Sequence, residues 1–207
     1  MLNRRTFSSA LVLPALGFGV TQAHAATATV GQAAPDFIAV DALGKTHKLS
    51  DFKGKHVVLE WTNPGCPFVV KHYGGNMQAL QAEFTAKGVV WLSVNSTVKE
   101  SRDYLAPAQL MAWKAEKKAS ASAVLMDESG RIGQLYSAKT TPHMYIVSPQ
   151  GVLVYAGAID SVPSARADDI KLATNYIRQG LNEAMNGKAI STPTTRAYGC
   201  FIKYKDA

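Results

Sequence analysis

The chain has 207 residues, 47% of them hydrophobic and 18% charged, with two cysteines and a formal charge of +7 at neutral pH. That length and apolar content suit one folded unit with a sizeable core. Two cysteines 134 positions apart exclude a compact zinc pattern, and lysines scattered along the chain (Lys45, Lys53, Lys99, Lys117) speak against a nucleic-acid surface.

Residues 1–25 read as an export leader. Arg4-Arg5 is followed by an apolar run over residues 10–20 and then by the small-x-small site Ala23-His24-Ala25. The run is too short to cross a bilayer, which takes ~20 apolar residues. Asn3-Arg4-Arg5-Thr6-Phe7 is similar to the twin-arginine export signal. Cleavage would leave 182 residues and a charge of +5, since Arg4 and Arg5 depart, in a periplasm where two thiols invite a disulfide.

The mature chain begins with a small, polar arm ending in Ala34-Pro35. Phe37, Val40 and Leu43, with Gly44-Lys45 between residues 36–41 and 46–49, predict a hairpin, and residues 50–54 a single helical turn. Val57-Val58-Leu59-Glu60-Trp61 predicts a strand covered on both faces. Asn63-Pro64-Gly65 breaks that run as a turn, and Pro67 suits the first position of a helix. Gly74-Gly75 stops this helix; Asn76 caps a second one, with Met77, Leu80 and Phe84 on one face, and Lys87-Gly88 ends it. A strand over residues 89–94, a helix from Pro107 to Lys118, a strand over 123–126 and a short helix around Ile132 and Leu135 follow. Residues 144–147 and 152–155 form a hairpin about Ser148-Pro149-Gln150-Gly151. Asp168-Asp169 open a long helix with Ile170, Ala173, Ile177, Leu181 and Met185 on one stripe. The pattern predicts a three-layer α/β/α sandwich with a mixed sheet and an N-terminal hairpin. It forms one domain over residues 30–188, followed by a tail over 189–207 that carries Cys200.

The stretch with chemical content is the turn after the first long strand. Cys66 sits beside the unpaired N–H groups of a helix start, where positive potential favours a thiolate. Cysteines so placed have pKa values of roughly 3.5–7.5 rather than about 8.5. Position alone leaves open the alternative of a small buried residue filling a gap.

The order of elements, with a cysteine at a helix start and an X-Pro before the later hairpin, resembles the thioredoxin fold. Gly31-Gln32-Ala33-Ala34-Pro35-Asp36-Phe37 and Leu49-Ser50-Asp51-Phe52-Lys53-Gly54-Lys55 resemble the opening of the redoxin branch. That branch includes the peroxiredoxins (the AhpC/TSA proteins) and the exported thioredoxin-like reductases. Glu60-Trp61-Thr62-Asn63, Cys66-Pro67-Phe68-Val69, Thr141-Pro142-His143-Met144 and Tyr198-Gly199-Cys200 are similar to a group of exported bacterial redoxin-domain proteins. Two departures are plain. The second cysteine of Cys-x-x-Cys is replaced by Val69, and the peroxiredoxin Pro and Thr/Ser positions hold Leu59 and Asn63, with Thr62 one place off.

The resemblance implies a periplasmic thiol-based oxidoreductase with Cys66 as nucleophile and Thr141-Pro142 as a cis-proline loop that pairs with an incoming chain. Glu60, Trp61, Thr62 and Pro67 would support the site. Glu60 would be either a proton shuttle beneath the sulfur or a paired structural carboxylate. Cys200 would resolve the mixed disulfide if the tail folds back; the alternatives are an inert staple or an unpaired thiol. Other functions left open are a peroxidase on the same sulfurs and a silent binding module braced by a Cys66–Cys200 disulfide. The expected partners are a disulfide-bearing protein or small oxidant and an external thiol reductant. No cofactor, metal, nucleic acid or stable membrane insertion is expected. Lys71 reads as solvated, and His72 and His143 as surface or packing residues.

Overall fold

In this computed structural model residues 27–205 are described, so the leader lies outside the described residues. The chain runs β1 (Ile38–Asp41), β2 (Thr46–Lys48), β3 (Val57–Trp61), α1 (Pro67–His72), α2 (Asn76–Thr85), β4 (Val90–Asn95), α3 (Pro107–Glu116) and β5 (Ala123–Met126). It continues through α4 (Arg131–Leu135), β6 (Thr140–Thr141), β7 (His143–Val147), β8 (Leu153–Gly157), α5 (Tyr176–Met185) and β9 (Cys200–Phe201). Seven strands form one mixed sheet in the order β2-β1-β5-β4-β3-β7-β8. β3 and β5 run parallel to β4, and β7 runs antiparallel to β3.

β3 is buried at all five positions, and its alternating side chains feed two cores. Val57, Leu59 and Trp61 join Tyr136, Tyr145 and Ile202 on one face. Val58 joins Trp91, Phe84, Leu80, Ile177 and Leu181 on the other, against α1, α2 and α5. This is the three-layer sandwich with a mixed sheet that the strand and helix pattern predicts, N-terminal hairpin included. Among the described residues no helix is long and apolar enough to cross a membrane.

Two local expectations fail. The long helix from Asp168 is broken: residues 167–172 form a 3₁₀ segment with no buried residue, and Ala173 is extended. α5 starts only at Tyr176, where the Asn175 side chain accepts a hydrogen bond from the Arg178 N–H. Ile170 and Ala173 therefore lie outside the stripe to which Ile177 and Leu181 belong. Asn76 is the first residue of α2 and not its cap; Gly75, at φ +133°, holds that position, and the Gln78 side chain accepts from its N–H. β6 and β9, too short to predict, form a separate two-stranded ladder that draws the tail across the end of the molecule.

Candidate active site

Cys66 is placed by its turn. The Asn63 side chain accepts from the Gly65 N–H at 2.9 Å, and the Asn63 carbonyl accepts from the Cys66 N–H at 3.0 Å. The chain then enters α1 at Pro67, whose missing N–H is no loss in the first helical turn, with Cys66 in the capping position. The thiol is only 3% exposed. It faces β6, which ends in the cis Thr141-Pro142 peptide. As a thiol, Cys66 donates to the Thr141 carbonyl oxygen at 3.0 Å.

The tail supplies the second sulfur. Cys200 pairs with Thr141 and Phe201 with Thr140 in an antiparallel ladder. Cys200 Sγ thereby stands 2.7 Å from Cys66 Sγ, both as thiols. Burial works upward on Cys66, but hydrogen bonds from the Cys200 thiol and from backbone N–H groups, including that of Val69, outweigh it, and Cys66 lies below the ordinary thiol value. Cys200 moves the other way, pushed up to about 12 by burial and by the hydrogen bond and charge of Cys66. The directions favour ionisation at Cys66, the sulfur at the helix start, over Cys200.

A cavity of about 100 Å³ opens beside the sulfurs, lined by Thr62, Asn63, Cys66, Ser96, Thr141 and Cys200 among others. The Thr62 hydroxyl is buried with no hydrogen-bond partner, while the buried Thr141 side chain lies against Cys66 and helps hold its thiol low. Buried polar groups are normally paired, so the Thr62 hydroxyl stands out in the lining of this cavity. Asn63, in place of the peroxiredoxin hydroxyl, is occupied with Thr97, its amide donating to Oγ1 at 3.1 Å.

Glu60 and Trp61 stand apart from the sulfurs. Glu60 is fully buried and accepts from Tyr73 Oη (2.7 Å), Trp91 Nε1 (2.7 Å), Gln81 Nε2 (3.1 Å) and Ser93 Oγ (3.2 Å). Burial raises its carboxyl pKa in spite of those donors. Its bonds run to α1, α2 and β4 and none reaches Cys66; of the two predicted readings, this geometry fits the paired structural carboxylate. Trp61 packs between Tyr136 and Tyr145 and donates to Ser96, which in turn donates to Asp127. Ser96 lines the cavity, so Trp61 touches the site only through it.

The expectation of a solvated Lys71 is overturned. Lys71 is 3% exposed, its ammonium donating to Asp160 Oδ2 at 3.3 Å and to the Val162 carbonyl at 3.2 Å. Tyr198 donates to the other oxygen of Asp160 and lies edge-on to Phe68. A buried cluster of α1 residues and Asp160 thus grips the tail two positions before Cys200. Only Tyr198 had a sequence signal, its place in Tyr198-Gly199-Cys200; Asp160 and Ser96 had none.

His72 belongs to the same cluster, and its ring is neutral. The Asn76 amide donates to Nδ1 at 2.8 Å, and Nε2–H faces Tyr198 Oη at 3.3 Å. Burial drives its pKa down to about 4; Asp160 opposes this and Lys71 adds to it. The unfolded ring titrates near 6.5. Between 6.5 and about 4 the unfolded chain takes up a proton that the folded chain refuses, so stability falls as pH falls through that window, by up to about 3 kcal/mol from this ring. Urea unfolding of the wild type and His72→Gln checks this. The stability gap between them should shrink by about that amount from pH 7 to pH 4, and a constant gap would contradict a neutral buried ring.

Comparison with known proteins places this geometry. The chain is 32% identical over 97 residues to the thiol-disulfide oxidoreductase ResA of Geobacillus thermodenitrificans, a match covering 45% of this chain and 55% of the relative. The chain thus spans about half the length of that curated relative. Its fold is similar to that of an uncharacterized conserved protein from Geobacillus kaustophilus, with a TM-score of 0.74 and 24% identity over 86% of this chain and 94% of the other. It also resembles the thioredoxin domain of a thiol-disulfide oxidoreductase from Bacteroides vulgatus, with a TM-score of 0.50 and 22% identity over 70% of this chain and 98% of that domain. The sequence model of the AhpC/TSA family matches residues 30–156, more than half of the chain, and the protein therefore belongs to the AhpC/TSA family within the thioredoxin-like redoxins.

Proposed function

We propose that the protein is a thiol–disulfide oxidoreductase in which Cys66 is the nucleophile and Cys200 the resolving thiol. The observation that carries this reading is the 2.7 Å approach of Cys200 Sγ to Cys66 Sγ at the start of α1. The Cys66 thiolate attacks a disulfide RSSR, forming a Cys66–SR bond and releasing RS⁻. Cys200 then gives its proton to the released RS⁻ and attacks the Cys66 sulfur, releasing the second RS⁻ and closing a Cys66–Cys200 bridge. The substrate is reduced by two electrons and the pair oxidised by two, so turnover calls for an external dithiol. This chemistry calls for no cofactor and no metal.

Cys200 takes the part that Val69 cannot, as the carrier of the second thiol. Pro67 fixes the turn that presents Cys66, while Thr141 and Pro142 line the approach to it. The twin-arginine-like leader over residues 1–25 supports export to the periplasm, where the folded unit over 30–188 and the tail over 189–207 would work together. A second reading, reduction of a small peroxide by the same sulfurs, is favoured by the unpartnered Thr62 hydroxyl in the lining of the cavity beside Cys66.

The reduction potential of the Cys66–Cys200 couple tests the proposal. A working couple is expected in the range of known exchange proteins, about −120 to −270 mV. A value near or below about −300 mV would mark an inert staple and overturn the reading.

A further inference from the structure

The same tail that supplies Cys200 also closes the route by which a polypeptide would reach Cys66. A protein disulfide approaches a buried sulfur by laying extended backbone along a free strand edge beside it. The strand beside Cys66 is β6, whose Thr141 carbonyl lies 3.0 Å from Sγ. Its ladder is already filled by β9, with Cys200 opposite Thr141 and Phe201 opposite Thr140. Cys200 Sγ, 2.7 Å from Cys66, stands where the sulfur of an extended substrate would stand.

This occupation is fastened on both sides of Cys200. Upstream, Tyr198 donates to the buried Asp160. Downstream, the Ile202 N–H donates to the Lys139 carbonyl at 3.0 Å, the Val98 N–H donates to the Lys203 carbonyl at 2.9 Å, and Tyr204 donates to the Ala138 carbonyl at 2.8 Å. Between them Gly199, at φ +139°, lies so close to β6 that a Cβ would fall 2.7 Å from the Thr141 carbonyl carbon. What stays open is the cavity of about 100 Å³, room for a few waters or one end of a small molecule but not for a polypeptide strand.

We infer that the tail is a built-in occupant of the substrate strand position, which confines resting Cys66 to small disulfides and excludes polypeptide disulfides until β9 peels away. The inference rests on the exchange reading above and names its substrate class. A small disulfide RSSR enters through the cavity and Cys66 takes one sulfur, expelling RS⁻. Cys200, already alongside, passes its proton to the departing sulfur, so the second group leaves as RSH as the bridge closes; an external dithiol then reduces the bridge.

The first step is isolated in Cys200→Ser, which keeps β9 but cannot resolve. Mass spectrometry follows mixed-disulfide formation at Cys66 with bis(2-hydroxyethyl) disulfide and with insulin, each rate divided by that of iodoacetamide labelling to remove differences in thiolate content. Two further variants in this background loosen the tail: Tyr198→Ala removes its anchor, and Gly199→Ala pushes β9 off β6 without touching the Asp160 cluster. The expected result is that each loosened variant gains tenfold or more with insulin and changes less than threefold with the small disulfide. Equal insulin rates in all three proteins, or insulin outpacing the small disulfide in Cys200→Ser, would overturn the inference while leaving the exchange reading intact. Labelling by iodoacetamide with no reaction toward either disulfide would overturn both.

Discussion

Cys66→Ser is expected to lower disulfide reduction about a thousandfold or more, to background, because a serine hydroxyl offers no nucleophile at neutral pH and no sulfur to bridge. Cys200→Ser should behave differently. Its Cys66 is still presented by the Asn63-Pro64-Gly65 turn and still faces Thr141, so the first attack proceeds. The reaction then stops as a stable adduct, since no other cysteine exists to displace the product. Reduction of bis(2-hydroxyethyl) disulfide with a dithiol donor measures the first loss, and intact mass after one equivalent of that disulfide measures the trapped adduct. Full turnover in Cys200→Ser would mean that the external thiol resolves the adduct directly and that the tail thiol is dispensable.

Asp160→Ala is expected to destabilise the folded chain by about 3–5 kcal/mol, because it strands the Lys71 ammonium in the interior with the Val162 carbonyl as its remaining hydrogen-bond acceptor and the face of the Tyr198 ring 5.6 Å away. Tyr198 loses its acceptor at the same time. The size of the loss comes from leaving one charge unpaired and is not the net worth of the pair. Replacing both partners, as in Lys71→Met with Asp160→Leu, should therefore recover most of it. Urea unfolding of the three proteins at pH 7 measures this; a loss under about 1 kcal/mol in Asp160→Ala would mean that water reaches the ammonium. The cluster also holds Tyr198, two positions before Cys200, so its loss would loosen the tail.

The parts of this arrangement that could be read from sequence are those with local causes. The β3 run, the Asn63-Pro64-Gly65 break and Pro67 sit within a dozen positions, and each acts through its own backbone preference. The α5 stripe misled because Ile170 and Ala173 fall at helical spacing from Ile177, while the Asn175 cap that starts the helix lies inside the apparent period. Lys71 could not be seen as buried because its partner lies 89 positions away and gives no pattern of its own. The β6–β9 ladder is two residues long on each side, below any detectable alternation, and joins positions about 60 apart. Of the candidate site, Cys66 at its helix start had a local signal, whereas the cis-proline loop was suggested by resemblance alone. The meeting of Cys66 with Cys200 was suggested by resemblance and is made by the ladder and the Tyr198 anchor.

The account depends on unequal ionisation of two touching thiols, and the rate of iodoacetamide labelling of the reduced protein against pH tests it most directly, with each cysteine followed by peptide mass. The predicted result is an inflection for Cys66 below that of an ordinary thiol, with Cys200 unlabelled until more alkaline pH. An inflection for Cys66 above about nine, or Cys200 labelled first, would contradict it.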